Sequence, residues 1–93
     1  MEFEWNTKKE MENIKKHGVC FLEAIETFSD PNGIQLVDVK NSDEEKRYYW
    51  VGKTIKGRVL TTRFTFRDET FRIFGSAEWR KFRRLYYEAT KNK

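Results

Sequence analysis

A chain of 93 residues has room for one domain and not two, so residues 1–93 are expected to form a single unit. A lone cysteine, Cys20, excludes an intramolecular disulfide and a zinc site built from cysteines. The net charge of +4 conceals a division: residues 1–46 hold 6 Lys, no Arg and 11 acidic residues (net −5), while residues 47–93 hold 5 Lys, 8 Arg and 4 acidic residues (net +9).

Arginine grips phosphate in a bidentate fork, so a half that carries every arginine points to a polyanionic partner such as RNA or DNA. No apolar run approaches the length needed to cross a membrane, and the first residues lack the basic and apolar regions of a secretory leader. A soluble, cytoplasmic protein without a membrane partner is expected. With 15 aromatic rings in so short a chain, most must lie in the core.

In chain order, Thr7-Lys8-Lys9-Glu10 reads as a capping box that opens a helix to about Lys16. Met11 and Ile14 mark its buried side, and Gly18 suits its left-handed stop. A second helix is predicted over about 21–28. Asp30-Pro31-Asn32-Gly33 is a turn that closes the helical region.

Strands then follow over 34–39, 48–51, 58–66 and 70–74. Leu60, Thr62, Phe64 and Phe66 fall on one face of the third, with Thr61, Arg63 and Thr65 on the other. Gly75-Ser76 precedes a last helix with Ser76 as N-cap. Its apolar arc is Trp79, Phe82, Leu85, Tyr86 and Ala89; Arg80, Arg84, Tyr87 and Lys91 stripe the opposite side. The expected fold is α+β: two short N-terminal helices, a four-stranded antiparallel sheet and a C-terminal helix.

Phe3-Glu4-Trp5-Asn6, then Lys9, Asn13, Lys16-His17-Gly18-Val19, Phe21 and Glu23-Ala24, resemble the opening of the BrnT family of bacterial toxins. Asp30-Pro31, Gly52-Lys53-Thr54, Gly57-Arg58-Val59-Leu60, Phe64-Thr65, Arg67, Arg72-Ile73 and Tyr86-Tyr87-Glu88 extend the resemblance over nearly the whole chain. It implies a RelE-like fold and the toxin of a type II toxin–antitoxin system. Such a toxin is an endoribonuclease that needs no metal or cofactor and arrests growth by inhibiting translation. The implied partners are RNA and a ribbon-helix-helix antitoxin of the BrnA type, in a 2:2 complex that binds operator DNA through the antitoxin.

Two positions depart from the family pattern. Where Ser-Ala-Arg often follows the fourth strand, this chain reads Ser76-Ala77-Glu78, and Cys20 stands where serine often caps the second helix. The missing arginine keeps a second reading open, that of an inactive relative which only binds its antitoxin or nucleic acid. A third reading is an interaction domain whose basic half binds an acidic protein.

RNA carries its own nucleophile, the 2′-OH. The protein must orient it, stabilise charge on the phosphorane and move protons. Arg72, in a strand and facing away from Phe71 and Ile73, is the expected phosphorane-stabilising residue. Arg63, Arg80 and Lys53 are the expected phosphate clamps. Arg58, Arg67, Lys81, Arg84, Tyr87 and Lys91 are further RNA contacts, with Tyr87 placed to stack on a base. His17, the only histidine, is the candidate acid or base, at a helix C-terminus whose dipole favours its protonated form. No cluster of metal ligands is apparent, and no Ser/His/Asp set or phosphate-binding glycine loop.

Overall fold

Ahead of the first predicted helix, Phe3 and Trp5 alternate with Glu2 and Glu4, the period of a half-buried strand. The structure, a computed structural model that describes residues 1–91, places strand β1 there, over Glu2–Trp5. After it come α1 (Thr7–His17), α2 (Phe21–Glu26), a 3-10 turn (Thr27–Ser29), β2 (Ile34–Val37) and a second 3-10 turn (Val39–Asn41). The chain continues with β3 (Tyr48–Lys53), β4 (Val59–Arg67), β5 (Thr70–Ala77) and α3 (Arg80–Thr90). The sheet order is β1-β5-β4-β3-β2.

Strands β2 to β5 form the expected antiparallel meander, but β1 lies parallel to β5 on its outer edge. The sheet is therefore five-stranded and mixed, a correction to the four-stranded antiparallel expectation. A parallel partner is reached by a long connection, here through both N-terminal helices and strands β2 to β4, so no turn signal announces it.

Both faces of the sheet are covered. On one, Phe21, Phe64 and Ile73 pack with Phe3, Trp5, Phe28, Tyr48, Trp50 and Phe71. On the other, Tyr86 and Phe82 of α3 meet Val51, Val59, Ile34 and Leu36. Burial on two sides explains why β4 lacks an exposed side at its start: Val59 to Thr62, then Phe64 and Thr65, are all buried. Phe66, expected to continue the apolar face, is half exposed.

The helix ends differ from expectation in ways that have local causes. Asn6, not Thr7, caps α1, its side chain accepting the Lys9 N–H at 3.1 Å. Glu10 does not reach back to that cap. One carboxylate oxygen takes the Trp5 indole N–H at 3.2 Å, and the other takes the Phe21 N–H at 2.8 Å. Glu10 thereby caps α2, whose own Cys20 makes no side-chain cap bond. Ser76 is not a helix cap at all. β5 runs on to Ala77, and the buried Ser76 hydroxyl pairs with that of Thr62 at 2.9 Å, so α3 starts only after Trp79.

Met11 and Ile14 are exposed, against expectation; the buried residue of α1 is Asn13. Its amide N–H groups donate to the carbonyls of Val19 and Ser76, each at 2.9 Å, and its oxygen accepts the Ser76 N–H at 3.0 Å. The side chain thus pairs with Ser76 as another strand would, continuing the edge of β5 beyond the end of β1. Asn13→Ala leaves three buried backbone groups without partners, and should lower stability by about 2 kcal/mol. Urea unfolding checks this; a midpoint unchanged from wild type would show the clamp to be dispensable.

A second polar anchor holds α3. The Tyr86 hydroxyl donates to Asp30 at 2.5 Å, and the same carboxylate accepts the N–H groups of Asn32 and Lys53. Burial alone would raise the Asp30 pKa; these three bonds and the Lys53 charge outweigh it and leave the pKa below the usual value. A depressed carboxylate pKa adds stability at neutral pH that is lost as pH falls through the folded-state pKa. Tyr86→Phe should therefore cost about 1–2 kcal/mol near pH 7 and flatten the loss of stability in acid. Denaturation at both pH values measures this, and parallel curves for variant and wild type would refute it.

Candidate nucleic-acid interface

Spacings of four and three residues put Lys9, Asn13 and Lys16 on one face of α1, with His17 beside them. Asn13 fixes that face against β5. Below it lies Arg63, four residues along β4 from Val59 and on the same side of the sheet, but exposed where Val59 is buried.

The register between β4 and β5 shifts beside it. Arg63 stands opposite Gly75 while Phe64 stands opposite Ile73, leaving Phe74 as the extra residue of a bulge. A Cβ at Gly75 would lie 3.2 Å from the Arg63 guanidinium and 3.3 Å from the Asn13 oxygen, so glycine here leaves room for the arginine.

The third wall is the loop between β2 and β3. It is closed by the Asp38 N–H on the Arg47 carbonyl at 2.7 Å and by the Arg47 N–H on the Ser42 hydroxyl at 2.9 Å. These bonds present Arg47 to the cleft. The enclosed volume is about 310 Å³, and four cations border it: Lys9, Lys16, Arg47 and Arg63. Glu12 and Asp38 are the acidic groups on its wall. None of the four cations has a carboxylate within ion-pair distance among the described residues.

His17 meets the edge of Trp79 at 6.1 Å and shares the cleft with Arg63. Burial, then the charges of Lys16 and Arg63, push its pKa below the ordinary histidine value. These effects run against the helix dipole, expected to favour the protonated form, and favour the neutral imidazole. Tyr49, opposite Arg63 on β3, is shifted the other way by burial and by Asp38, so its phenol keeps its proton.

The expected site residues divide into groups. Arg63 and His17 come together in the cleft. Arg72 lies in an adjoining cleft of about 320 Å³ that shares Lys9 and Phe74 with the first. There it pairs at 3.2 Å with Glu4, its register neighbour on β1. Arg80 opens α3 next to Trp79, Arg84 and Tyr87 are exposed along the same helix, and Lys91, just past its end, is exposed and paired with Glu88 at 3.2 Å. Lys81 lies over the Phe82 ring.

Others stand apart from the cleft. Lys53 is four residues along β3 from Tyr49, roughly 13 Å away at strand rise, with its ammonium over the Tyr86 and Tyr87 rings. Arg58 bridges Glu23 at 2.7 Å and Glu78 at 3.5 Å, and Arg67 pairs with Glu45 at 3.4 Å. Lys9, Lys16, Arg47 and Phe74 were not singled out by the sequence as site residues.

Residues 5–82 match the family described as the ribonuclease toxin BrnT of type II toxin–antitoxin systems. The fold is similar to that of the Brucella abortus ribonuclease toxin BrnT, solved by crystallography, with a TM-score of 0.61 at 18% identity. That similarity covers 85% of this chain and 96% of the other. No curated protein sequence gives a significant match.

Proposed function

The chain belongs to the BrnT family of ribonuclease toxins of type II toxin–antitoxin systems, and from that premise we propose that it cuts RNA in the cleft between α1 and the sheet, by attack of the substrate's own 2′-OH. The observation that supports this best is the union in one cleft of a histidine with four cations that, among the described residues, lack carboxylate partners.

In this reading His17 accepts the 2′-OH proton as the oxygen attacks the adjacent phosphorus. Arg63 stabilises the charge that develops on the phosphorane oxygens, its guanidinium lying over Gly75 in the cleft. Lys9, Lys16 and Arg47 hold the scissile and flanking phosphates in line. The bond to the 5′-oxygen then breaks and that oxygen takes a proton from water, leaving one end with a 2′,3′-cyclic phosphate and the other with a 5′-hydroxyl. Arg72 takes a neighbouring phosphate by exchanging Glu4 for it. Arg80 extends the cationic track from Trp79 along α3, with Lys81, Arg84, Tyr87 and Lys91 as outer contacts. Among the described residues no three His, Cys, Asp or Glu side chains group as metal ligands, and the side-chain cations supply the charge stabilisation in this scheme.

Loss of translated RNA would stop protein synthesis and growth. The partner proposed to restrain the enzyme is a ribbon-helix-helix antitoxin of the BrnA type, in a 2:2 complex whose antitoxin binds operator DNA. The reading as an inactive relative rests on Glu78 replacing an arginine. Glu78 is tied to Arg58, and neither residue borders the cleft, which favours an active enzyme.

Pulsed expression in bacteria tests the proposal. Growth arrest with new RNA ends bearing 2′,3′-cyclic phosphate is expected. Normal growth and intact RNA, with folded protein in the cell, would favour the binding-only relative.

A further inference from the structure

Phe74 is unlike the other phenylalanines of the chain. Each of the other seven faces another aromatic ring. Phe74 has no such neighbour and belongs to neither core cluster. Its ring is instead approached by two cations, the Lys9 ammonium at 5.3 Å and the Arg47 guanidinium at 5.2 Å from its centroid. It lines both clefts, and so borders the one that holds Arg63 and the one that holds Arg72.

The β5 bulge is the device that puts it there. Without the extra residue, strand alternation would leave Arg72, Gly75 and Ala77 on the cleft side of β5, with no aromatic ring among them. A partly exposed ring in a polar groove, flanked by groups that bind phosphate, combines the two elements of a site for single-stranded nucleic acid: a stacking platform and charges that track the backbone. Core packing does not account for a ring placed among cations, since it contributes to neither cluster.

We infer that Phe74 is a base-stacking subsite for single-stranded RNA, receiving a nucleobase next to the scissile phosphate in exchange for a cation now over its ring, while Lys9 and Arg47 turn to the phosphates on either side of it. This rests on the proposal that the cleft binds RNA, and adds that the strand is recognised through a base face and not by its phosphates alone. Stacking tolerates any base, so this contact would position the strand without selecting a sequence.

The test compares binding of the purified chain to two strands of equal length: a 2′-O-methyl oligonucleotide, which has bases but no attacking hydroxyl, and an abasic strand. Wild type should prefer the base-bearing strand by roughly 5- to 150-fold, the range for one stacked base. Phe74→Tyr should keep the preference, and Phe74→Leu should lose most of it while binding the abasic strand as wild type does. A preference that survives in Phe74→Leu, or equal binding of both strands by wild type, would overturn the inference and leave the RNA reading intact. Failure of wild type to bind either strand would overturn the RNA reading and this inference together. Photocrosslinking of wild type to a 4-thiouridine strand gives an answer without a variant: adducts at Phe74 are expected, and adducts only elsewhere would also overturn the assignment.

Discussion

Arg63→Ala is expected to reduce RNA cleavage by about 10²- to 10³-fold, the loss typical when one preorganised donor to a transition-state anion is removed. Three features single out this arginine. It has no carboxylate partner among the described residues, it lies over a glycine that leaves its guanidinium room, and it shares the cleft with His17. Its exposure on the strand means that truncation creates no buried cavity, so the variant should fold with an unchanged urea midpoint. Arg63→Lys keeps the charge without the planar fork, and should recover only part of the rate. Arg72→Ala provides the comparison. Its side chain already has Glu4 as a partner, so a loss smaller than that of Arg63→Ala is expected. Measured cleavage that falls with Arg72→Ala and not with Arg63→Ala would move the phosphorane to the adjoining cleft.

Much of the frame was legible because local rules set it. The turn at Asp30–Gly33 and the meander that follows it obey turn chemistry and alternation. The left-handed Gly18, at φ 67°, stops α1 as expected. What escaped was non-local. β1 needs a partner about 70 residues away, and Asn13 is a polar residue whose role appears only when Ser76 is beside it. Ser76 looked like a cap because its sequence neighbours are those of a helix start, while its actual partner, Thr62, lies across the sheet.

The site shows the same division. Charge counted along the chain directs attention to the arginine-rich half, yet two of the four cleft cations, Lys9 and Lys16, come from the acidic half. Arginines expected at the site, such as Arg58 and Arg67, are held in ion pairs elsewhere. A usable signal existed in the helical spacing of Lys9, Asn13, Lys16 and His17, the same residues that carry the family resemblance. Periodicity read for apolar residues alone favoured Met11 and Ile14 and so turned the helix the wrong way.

His17 governs the second large effect, and its sign follows from its surroundings. Burial and the charges of Lys16 and Arg63 lower its pKa and so favour the neutral imidazole. If the neutral form takes the proton from the 2′-OH, kcat/KM rises as pH increases through a value below the ordinary histidine pKa, then levels off. A group acting as an acid in the rate-limiting step would give the opposite slope. His17→Gln, which keeps hydrogen-bonding capacity but does not titrate, should lower the rate by about 10²- to 10⁴-fold and abolish that acid limb. Arg63→Lys retains a cation near the imidazole, so the limb should stay where it is; Arg63→Ala removes one source of the shift and should move it toward higher pH. The readout is a pH–rate profile on one RNA substrate for the four proteins. A limb that persists in His17→Gln would assign the titration to another group, and a rate unaffected by that change would reduce His17 to a packing partner of Trp79.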